Sequence, residues 1–320
     1  MIEVSDLSVR AGGVRAVDEV SFSIEPGRRL GLIGESGSGK TLTALAIMGL
    51  LPDGVTATGS VRYRGDEILH LSEHDRAKLR GEVMGMVFQE PLTALNPVMR
   101  IGEQIAETLR IHRGASRREG RAAAGELLRR VQMPDPEDKL RSYPHQLSGG
   151  QRQRVVLAIA IACSPELVIA DEPTTALDVT VQAEILRLLD AVTVEQAAFL
   201  LITHDLPVVS STCDEVLVMY GGRIVERGPT DAVFARPRHP YTAGLLDALP
   251  DLDEAAGARL RAIPGTVPAL GAFPSGCVFR DRCERADGTC AREPALTWDR
   301  DRAAACWHPL GGPVAEEVVR

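Results

Sequence analysis

The stretch "GESGSGKT" (residues 34–41) decides the fold, because it fits the pattern G-x-x-x-x-G-K-[ST]. The apolar run "RRLGLIG" before it predicts a buried strand, and "KTLTALAIMGLL" behind it predicts a helix that begins at the turn. Glycines let successive backbone N–H groups curve around a phosphate, and the helix N-terminus adds its positive dipole end. The stretch therefore predicts a phosphate-binding loop of the Walker A type between a strand and a helix.

The side chains of this loop have distinct expected roles. Lys40 is expected to reach the β- and γ-phosphates of a nucleotide, and the Thr41 hydroxyl is expected to ligate Mg²⁺. Lysine is rare in this chain, which has only Lys40, Lys78 and Lys139, so a compact ammonium is expected to matter at this position. The predicted ATP-binding set is Gly34, Glu35, Ser36, Gly37, Ser38, Gly39, Lys40 and Thr41.

A second stretch, "LVIADE" (residues 167–172), is an apolar strand that ends in two carboxylates. Asp171 at the strand tip is expected to hold Mg²⁺ through water, and Glu172 to orient or deprotonate an attacking water. Alone, the pair is also typical of a solvated acidic strand end. Beside a phosphate loop it predicts a catalytic site for nucleotide hydrolysis.

A third stretch, "LSGGQRQR" (residues 147–154), opens a long apolar helix with a serine, two glycines and a glutamine. Such a helix start binds anions. Because residues 34–41 already hold the one γ-phosphate of their own nucleotide, a second phosphate-binding start suggests a second nucleotide reached across a dimer interface. An ordinary helix cap is the alternative.

The composition narrows the class of protein. The net charge of -8 argues against a nucleic-acid binder that neutralises phosphates broadly. No apolar run approaches the roughly 18 residues of a membrane span, and the N-terminus does not read as a secretory signal. A reducing compartment is therefore expected, in which clustered cysteines indicate metal or redox chemistry.

Strands and helices alternate along most of the chain, which predicts a mostly parallel α/β core. Residues from about 92 to 142 read as helical, with apolar residues at three- and four-residue spacing. After residue 228 proline becomes dense and periodicity fades, apart from a helix near "YTAGLLDAL". We expect an ATPase domain at 1–228, with a helical subdomain at about 92–160, and a small irregular cysteine-rich tail at 229–320.

The order of the phosphate loop, Gln89, "LSGGQ", "LVIADEPT", "ALD" and "TH" resembles the ATP-binding subunit of ABC transporters, over about residues 1–230. This resemblance implies a parallel RecA-like core with an antiparallel β layer and a helical insertion. It also implies that two such domains sandwich two ATP molecules. Gln89 would contact Mg²⁺ and the attacking water, Asp178 would lie at the dimer interface, and His204 would hold the γ-phosphate. The residues implied to touch the partner's ATP are Ser148, Gly149, Gly150 and Gln151.

One position departs from the family pattern. ABC ATPases usually stack the adenine on an aromatic residue upstream of the phosphate loop, where this chain has Ala11. Val17 and the stem of Arg15, or a contact from the partner, would replace that ring. Because a stacked ring contributes about 0.5–1.5 kcal/mol beyond its burial, we expect weaker ATP binding rather than none.

The segments "RHPYTAGLLDALP", "IPG…PSGCVFRDRC" and "FQEPLTALNP" resemble the dipeptide and oligopeptide importer branch. That resemblance implies a second homologous ATPase subunit in a heterodimer, two transmembrane permeases, an extracytoplasmic solute-binding protein, and no nucleic acid. The chain would lie peripherally on the cytoplasmic face of the inner membrane. An importer for nickel or another small solute is an alternative, and a soluble non-transport ABC ATPase is an alternative of a different class.

Four of the six cysteines lie near the end of the chain, as Cys277-x₅-Cys283-x₆-Cys290-x₁₅-Cys306. Structural zinc sites favour ligands two to four residues apart, whereas wider loops suit an iron–sulfur cluster. The family resemblance points to a [4Fe-4S] centre as well. Zinc and unliganded or disulfide-bonded thiols remain open, and His308 could replace one cysteine. A structural staple is the expected role, with redox sensing as the alternative.

Overall fold

The computed structural model describes residues 1–175, 177–192, 196–249 and 262–312. The chain forms two compact units, each assembled from separate stretches. Unit 1 comprises Met1–Ile2, Ser23–Arg29 and Arg62–Ile202, and unit 2 comprises Glu3–Phe22, Leu30–Val61 and Thr203–Arg320.

The strands follow in chain order as β1 (Ile2–Ala11), β2 (Val14–Ile24), β3 (Arg29–Ile33), β4 (Val55–Tyr63), β5 (Asp66–Glu67), β6 (Met84–Val87), β7 (Leu167–Asp171), β8 (Ala198–Thr203), β9 (Glu215–Tyr220), β10 (Arg223–Pro229), β11 (Thr297–Asp299) and β12 (Arg302–Ala304). The helices are α1 (Lys40–Met48), α2 (Glu73–Glu82), α3 (Pro91–Ala94), α4 (Ile101–Arg113), α5 (Arg117–Arg130), α6 (Pro136–Lys139), α7 (Gly149–Ala160), α8 (Val179–Val192), α9 (Leu206–Thr212), α10 (Thr230–Ala235) and α11 (Pro240–Asp247). Short 3₁₀ helices cover Pro144–Gln146, Arg280–Arg282 and Gly288–Ala291.

Unit 1 contains a parallel sheet in which β7 lies between β6 and β8. All five residues of β7 are buried, as expected for a central parallel strand covered on both faces. The predicted helical region is present as α4, α5 and α7, which pack against one another. A capping box between Ser116 and Glu119 starts α5 by satisfying two free N–H groups. This sheet positions the carboxylates that follow β7.

Unit 2 contains the strand that leads into the phosphate loop. The strand β3 pairs in parallel with β9, and β9 pairs antiparallel with β10. Strands β2, β1 and β4 lie side by side in that order and form a second layer. Parallel and antiparallel pairs therefore occur in one unit, with the loop at the end of β3.

The tail is more regular than the sequence predicts. The helix expected near "YTAGLLDAL" is confirmed as α11, but the described tail residues also include β11 and β12. Strand β12 pairs antiparallel with β10, matching Glu226 to Ala304 and Arg227 to Ala303. Because each strand has only three residues, no alternation was long enough to reveal it in the sequence. The prediction of an irregular tail is corrected to this extent.

None of the helices in the described part of the chain is both long and apolar enough to cross a membrane.

Candidate functional site

The phosphate loop is held closed by its own lysine. Lys40 Nζ donates hydrogen bonds to the carbonyl oxygens of Gly34, at 2.7 Å, and Glu35, at 3.0 Å. The Ser38 N–H donates to the Glu35 carbonyl at 3.2 Å. Lys40 is buried, whereas Ser36, Gly37 and Thr41 are exposed. The exposed residues of the loop are therefore accessible to a ligand, while the Lys40 ammonium is hydrogen-bonded to backbone oxygens.

Two glycines of the loop have no room for a side chain. A Cβ on Gly34 would lie 2.1 Å from the carbonyl oxygen of Met219, and one on Gly39 would lie 2.8 Å from that of Ala16. Gly39 also has φ of 100°, in the left-handed region. Helix α1 begins directly after Gly39 and has no acidic residue in its first turn, so nothing there offsets its positive end.

The candidates for an adenine contact differ in exposure. Val17 is fully buried and packs against Gly39. Arg15 has 42% of its side chain exposed and pairs with Asp18. Of these two residues, Arg15 is therefore the one whose stem could lie against a base.

In unit 1 the structure brings Gln89 and Glu172 together. Gln89 Nε2 donates to the Glu172 carboxylate at 3.2 Å, and the Thr175 hydroxyl donates to the same oxygen at 2.8 Å. Glu172 follows the buried Asp171 and has φ of 44°, a costly conformation for a residue with a side chain. Strain of this kind clusters at functional sites. Thr175 was not predicted, although it lies three residues after Glu172 in "DEPTTALD".

The "LSGGQ" helix start is also an ordinary cap within the chain. The Ser148 hydroxyl accepts from the Gln151 N–H at 3.3 Å, and the Gln151 side chain accepts from the Ser148 N–H at 3.1 Å. A Cβ on Gly150 would lie 2.7 Å from Val181 of α8, so this glycine has a packing reason of its own. Ser148 and Gly149 are nevertheless exposed at the helix start, as an anion site requires.

The other predicted residues lie at element ends. The Asp178 carboxylate accepts from the Val181 N–H at 3.0 Å and caps α8, while Asp178 itself is exposed. His204 is exposed and directly follows β8. The phosphate loop and His204 belong to unit 2, and the remaining predicted catalytic and signature residues belong to unit 1. The residue Ala176 of the "ALD" motif lies outside the described residues.

The four tail cysteines influence one another electrostatically. Burial raises the pKa of the Cys277 and Cys283 thiols and raises that of Cys306 to about 12. The neighbouring tail thiols raise these pKa values further, and Cys306 is affected by Cys277, Cys283 and Cys290. A backbone hydrogen bond of 3.0 Å joins Cys277 to Cys290. Burial and the neighbouring thiols therefore make ionisation of Cys277, Cys283 and Cys306 unfavourable.

Two other donors lie beside Cys290. The Asp287 carboxylate, the Cys290 thiol and a His308 ring nitrogen lie within 4.8 Å of one another. His308 Nε2 is 3.0 Å from the Asp287 carboxylate. His308 was predicted as a substitute ligand, whereas Asp287 was not predicted. Cys163 and Cys213, the two cysteines outside the tail, are buried.

Comparison with known proteins identifies the family. The ABC transporter family profile matches residues 17–175, and a profile described as the C-terminal region of oligopeptide/dipeptide transporters matches residues 225–290. Over 316 residues the chain is 47% identical to the oligopeptide transport ATP-binding protein OppD of Escherichia coli, covering 97% of this chain and 94% of that protein. This chain belongs to the ABC transporter ATP-binding proteins of the oligopeptide/dipeptide family.

Other relatives agree with this family. The chain is 49% identical over 303 residues to a probable D,D-dipeptide transport ATP-binding protein of Escherichia coli, covering 93% of this chain and 92% of that protein. A solved ATP-binding cassette, a dimer in a post-hydrolysis state with ADP and Pi, has a TM-score of 0.65 and 28% identity. That match covers 72% of this chain and 99% of the cassette. The predicted ABC-type α/β fold is confirmed.

Proposed function

We propose that this protein is the ATP-hydrolysing subunit of an ABC importer for di- and oligopeptides. The observation that carries the proposal is the 47% identity along 97% of the chain to an oligopeptide transport ATP-binding protein. The geometry agrees, because the phosphate loop is closed and Glu172 is held by Gln89 and Thr175. This arrangement is the one expected of a cassette that hydrolyses ATP.

The loop binds ATP by an exchange of partners. Lys40 leaves the carbonyl oxygens of Gly34 and Glu35 for the phosphates, and the exposed backbone of residues 36–37 surrounds them. In the partner subunit's site, the γ-phosphate would meet the signature residues of this chain, Ser148, Gly149, Gly150 and Gln151.

The donors present fit Mg²⁺, which prefers oxygen ligands. Thr41 offers an exposed hydroxyl and Asp171 a carboxylate, and the Gln89 amide donates to Glu172 through nitrogen and keeps its oxygen for a cation. When bound, the cation would neutralise charge on the phosphates. Glu172 accepts a proton from the attacking water, Gln89 orients that water, and His204 holds the γ-phosphate in line.

The partners follow from the proposed transport role. A second homologous ATPase subunit completes the two ATP sites, with Asp178 at the dimer interface, and two permeases receive solute from an extracytoplasmic binding protein. Leu92 and Val98, shortly after Gln89, are 53% and 83% exposed. Large apolar side chains left in solvent are typical of interaction surfaces. They support a model in which the ATPase domain, residues 1–228, lies at the cytoplasmic face of the membrane and binds a permease through the surface beside Gln89.

For the tail at 229–320 we propose a [4Fe-4S] cluster held by Cys277, Cys283, Cys290 and Cys306. The electrostatic influence of Cys277, Cys283 and Cys290 on Cys306 supports this proposal, because such influence requires the four thiols to lie near one another. Such a cluster would act as a covalent staple of the tail. Zinc on Asp287, Cys290 and His308 is the alternative that the geometry favours. Iron, sulfide and zinc analysis of anaerobically purified protein decides between them, since a zinc-only result contradicts the cluster.

The transport proposal is tested by uptake into vesicles that contain the chain, its partner ATPase and the permeases. ATP on the ATPase side and the binding protein outside should drive uptake of a labelled dipeptide or pentapeptide. Uptake of labelled nickel without uptake of either peptide would show that the importer carries another solute and not peptides. An active ATPase that never associates with a permease would favour the non-transport class.

A further inference from the structure

Glu35 is an unexpected residue in a loop that binds phosphates. It lies second in "GESGSGKT", and its carboxylate carries negative charge beside the place where ATP carries its own. Like charges at close range repel, which weakens binding. In this chain the Glu35 side chain is 28% exposed and turns to a tail residue, Arg282.

The contact between Glu35 and Arg282 is forked. Arg282 Nη1 donates to one carboxylate oxygen at 2.6 Å, and Nη2 donates to the other at 3.2 Å. A bidentate pair of this kind fixes geometry as well as charge. Arg282 is 8% exposed, so water screens the pair only weakly.

Arg282 is itself held in place by the tail and by β9. Its Nε donates to the Pro264 carbonyl at 2.8 Å, and its Nη1 also donates to the Tyr220 hydroxyl at 3.2 Å. Phe279, three residues before it, packs against the Tyr220 ring with centroids 5.2 Å apart. The guanidinium therefore stays where the Glu35 carboxylate meets it.

A second tail residue holds the backbone of Glu35. The Glu35 N–H donates to the Tyr241 hydroxyl at 2.8 Å, and Tyr241 is fully buried in α11. The start of α11 is fixed by Glu226 of β10, whose carboxylate accepts from the N–H groups of Arg238 and His239 at 2.7 and 2.8 Å. Glu35 is thus bound at its side chain by Arg282, at its N–H by Tyr241 and at its carbonyl by Lys40.

We propose that Arg282 is a positioning residue for ATP, which neutralises the Glu35 carboxylate and holds the phosphate loop in the conformation that accepts the triphosphate. The tail is then part of the ATP site of its own subunit. This inference rests on the proposed ATP site at residues 34–41, and it does not depend on which metal group the cysteines hold.

The test is equilibrium binding of a fluorescent ATP analogue to the full chain. Arg282→Gln leaves Glu35 unpaired beside the phosphates and is expected to weaken binding about tenfold. Arg282→Lys keeps the charge but loses the forked contact, so its affinity should lie between those of wild type and Arg282→Gln. The matched control is Arg280→Gln in the same 3₁₀ helix, because Arg280 pairs only with its neighbour Asp281 among the described residues. This control should bind as wild type does.

A double variant distinguishes neutralisation of Glu35 by Arg282 from a purely structural role of Arg282 in the tail. The double variant Glu35→Gln with Arg282→Gln has no unpaired carboxylate and should recover binding to within about threefold of wild type. The inference is overturned if Arg282→Gln binds as tightly as Arg280→Gln, or if the double variant binds no better than Arg282→Gln. If wild type and Lys40→Ala both fail to bind the analogue, the proposed ATP site fails instead.

Discussion

The phosphate loop and the proposed tail cysteine site would each bind a charged ligand, but they differ in what holds them together before the ligand binds. The Lys40 ammonium is satisfied by two backbone carbonyls before any nucleotide binds, so the loop is closed by its own hydrogen bonds. Burial and the neighbouring thiols raise the pKa values of Cys277, Cys283 and Cys306, although Arg285 lowers that of Cys283 in part. The first site is preorganised by the chain, whereas the second would be stabilised by the proposed cluster.

The largest expected effect concerns Glu172, the proposed general base. Glu172→Gln removes the general base while Gln89 and Thr175 remain, so hydrolysis should fall about 10³-fold with ATP binding retained. Steady-state phosphate release and analogue binding measure the two quantities. Glu137→Gln, which changes an exposed ion pair, serves as the control and should keep the wild-type rate. Equal rates for the two variants would remove Glu172 from the mechanism.

The next effect concerns the ligand-dependent site. Cys283→Ser should abolish bound iron and lower the unfolding temperature by at least about 4 °C, because the tail loses its staple. Metal analysis and calorimetry measure this change. Cys213→Ala is the control, since Cys213 packs against Gly31 outside the tail and should keep full iron content. Iron that persists in Cys283→Ser would show that this thiol is not a ligand.

These two sites also differ in how far the sequence could predict them. The loop is one contiguous motif, and its strand and helix are its own neighbours, so every element could be placed in advance. The contact of Gln89 with Glu172 spans 83 residues, and that of Glu35 with Arg282 spans 247. Contacts at such separations depend on the packing of whole elements, and no local pattern encodes them. Strands β11 and β12 were missed because three residues carry too little alternation.

A smaller effect concerns the dependence of stability on pH. Burial lowers the pKa of His239 to about 3, from 6.5 when exposed. A lowered folded-state pKa adds stability that is complete above pH 6.5 and is lost as the pH falls towards 3, by up to about 1.4 kcal/mol per unit. Denaturant unfolding between pH 7 and 5 should show this slope in wild type and a flatter one in His239→Gln. His145→Gln, at an exposed position, should leave the slope unchanged.

The smallest effect tests the second hydrogen bond on the catalytic carboxylate. Thr175→Val keeps the side-chain volume but removes the hydroxyl that donates to Glu172. Hydrolysis should fall at least about tenfold, because one hydrogen bond to a charged group contributes about 1.5–3 kcal/mol. Thr175→Ser should restore most of the rate. If Thr175→Ser is as slow as Thr175→Val, the methyl group rather than the hydroxyl matters.

The most direct measurement is the ATP hydrolysis rate of the chain assembled with the proposed partner ATPase, permeases and peptide-loaded binding protein. The proposed importer function predicts a rate that rises several-fold when peptide-loaded binding protein is added, and that Glu172→Gln in this chain lowers. A wild-type rate that is the same with and without the loaded binding protein would contradict it.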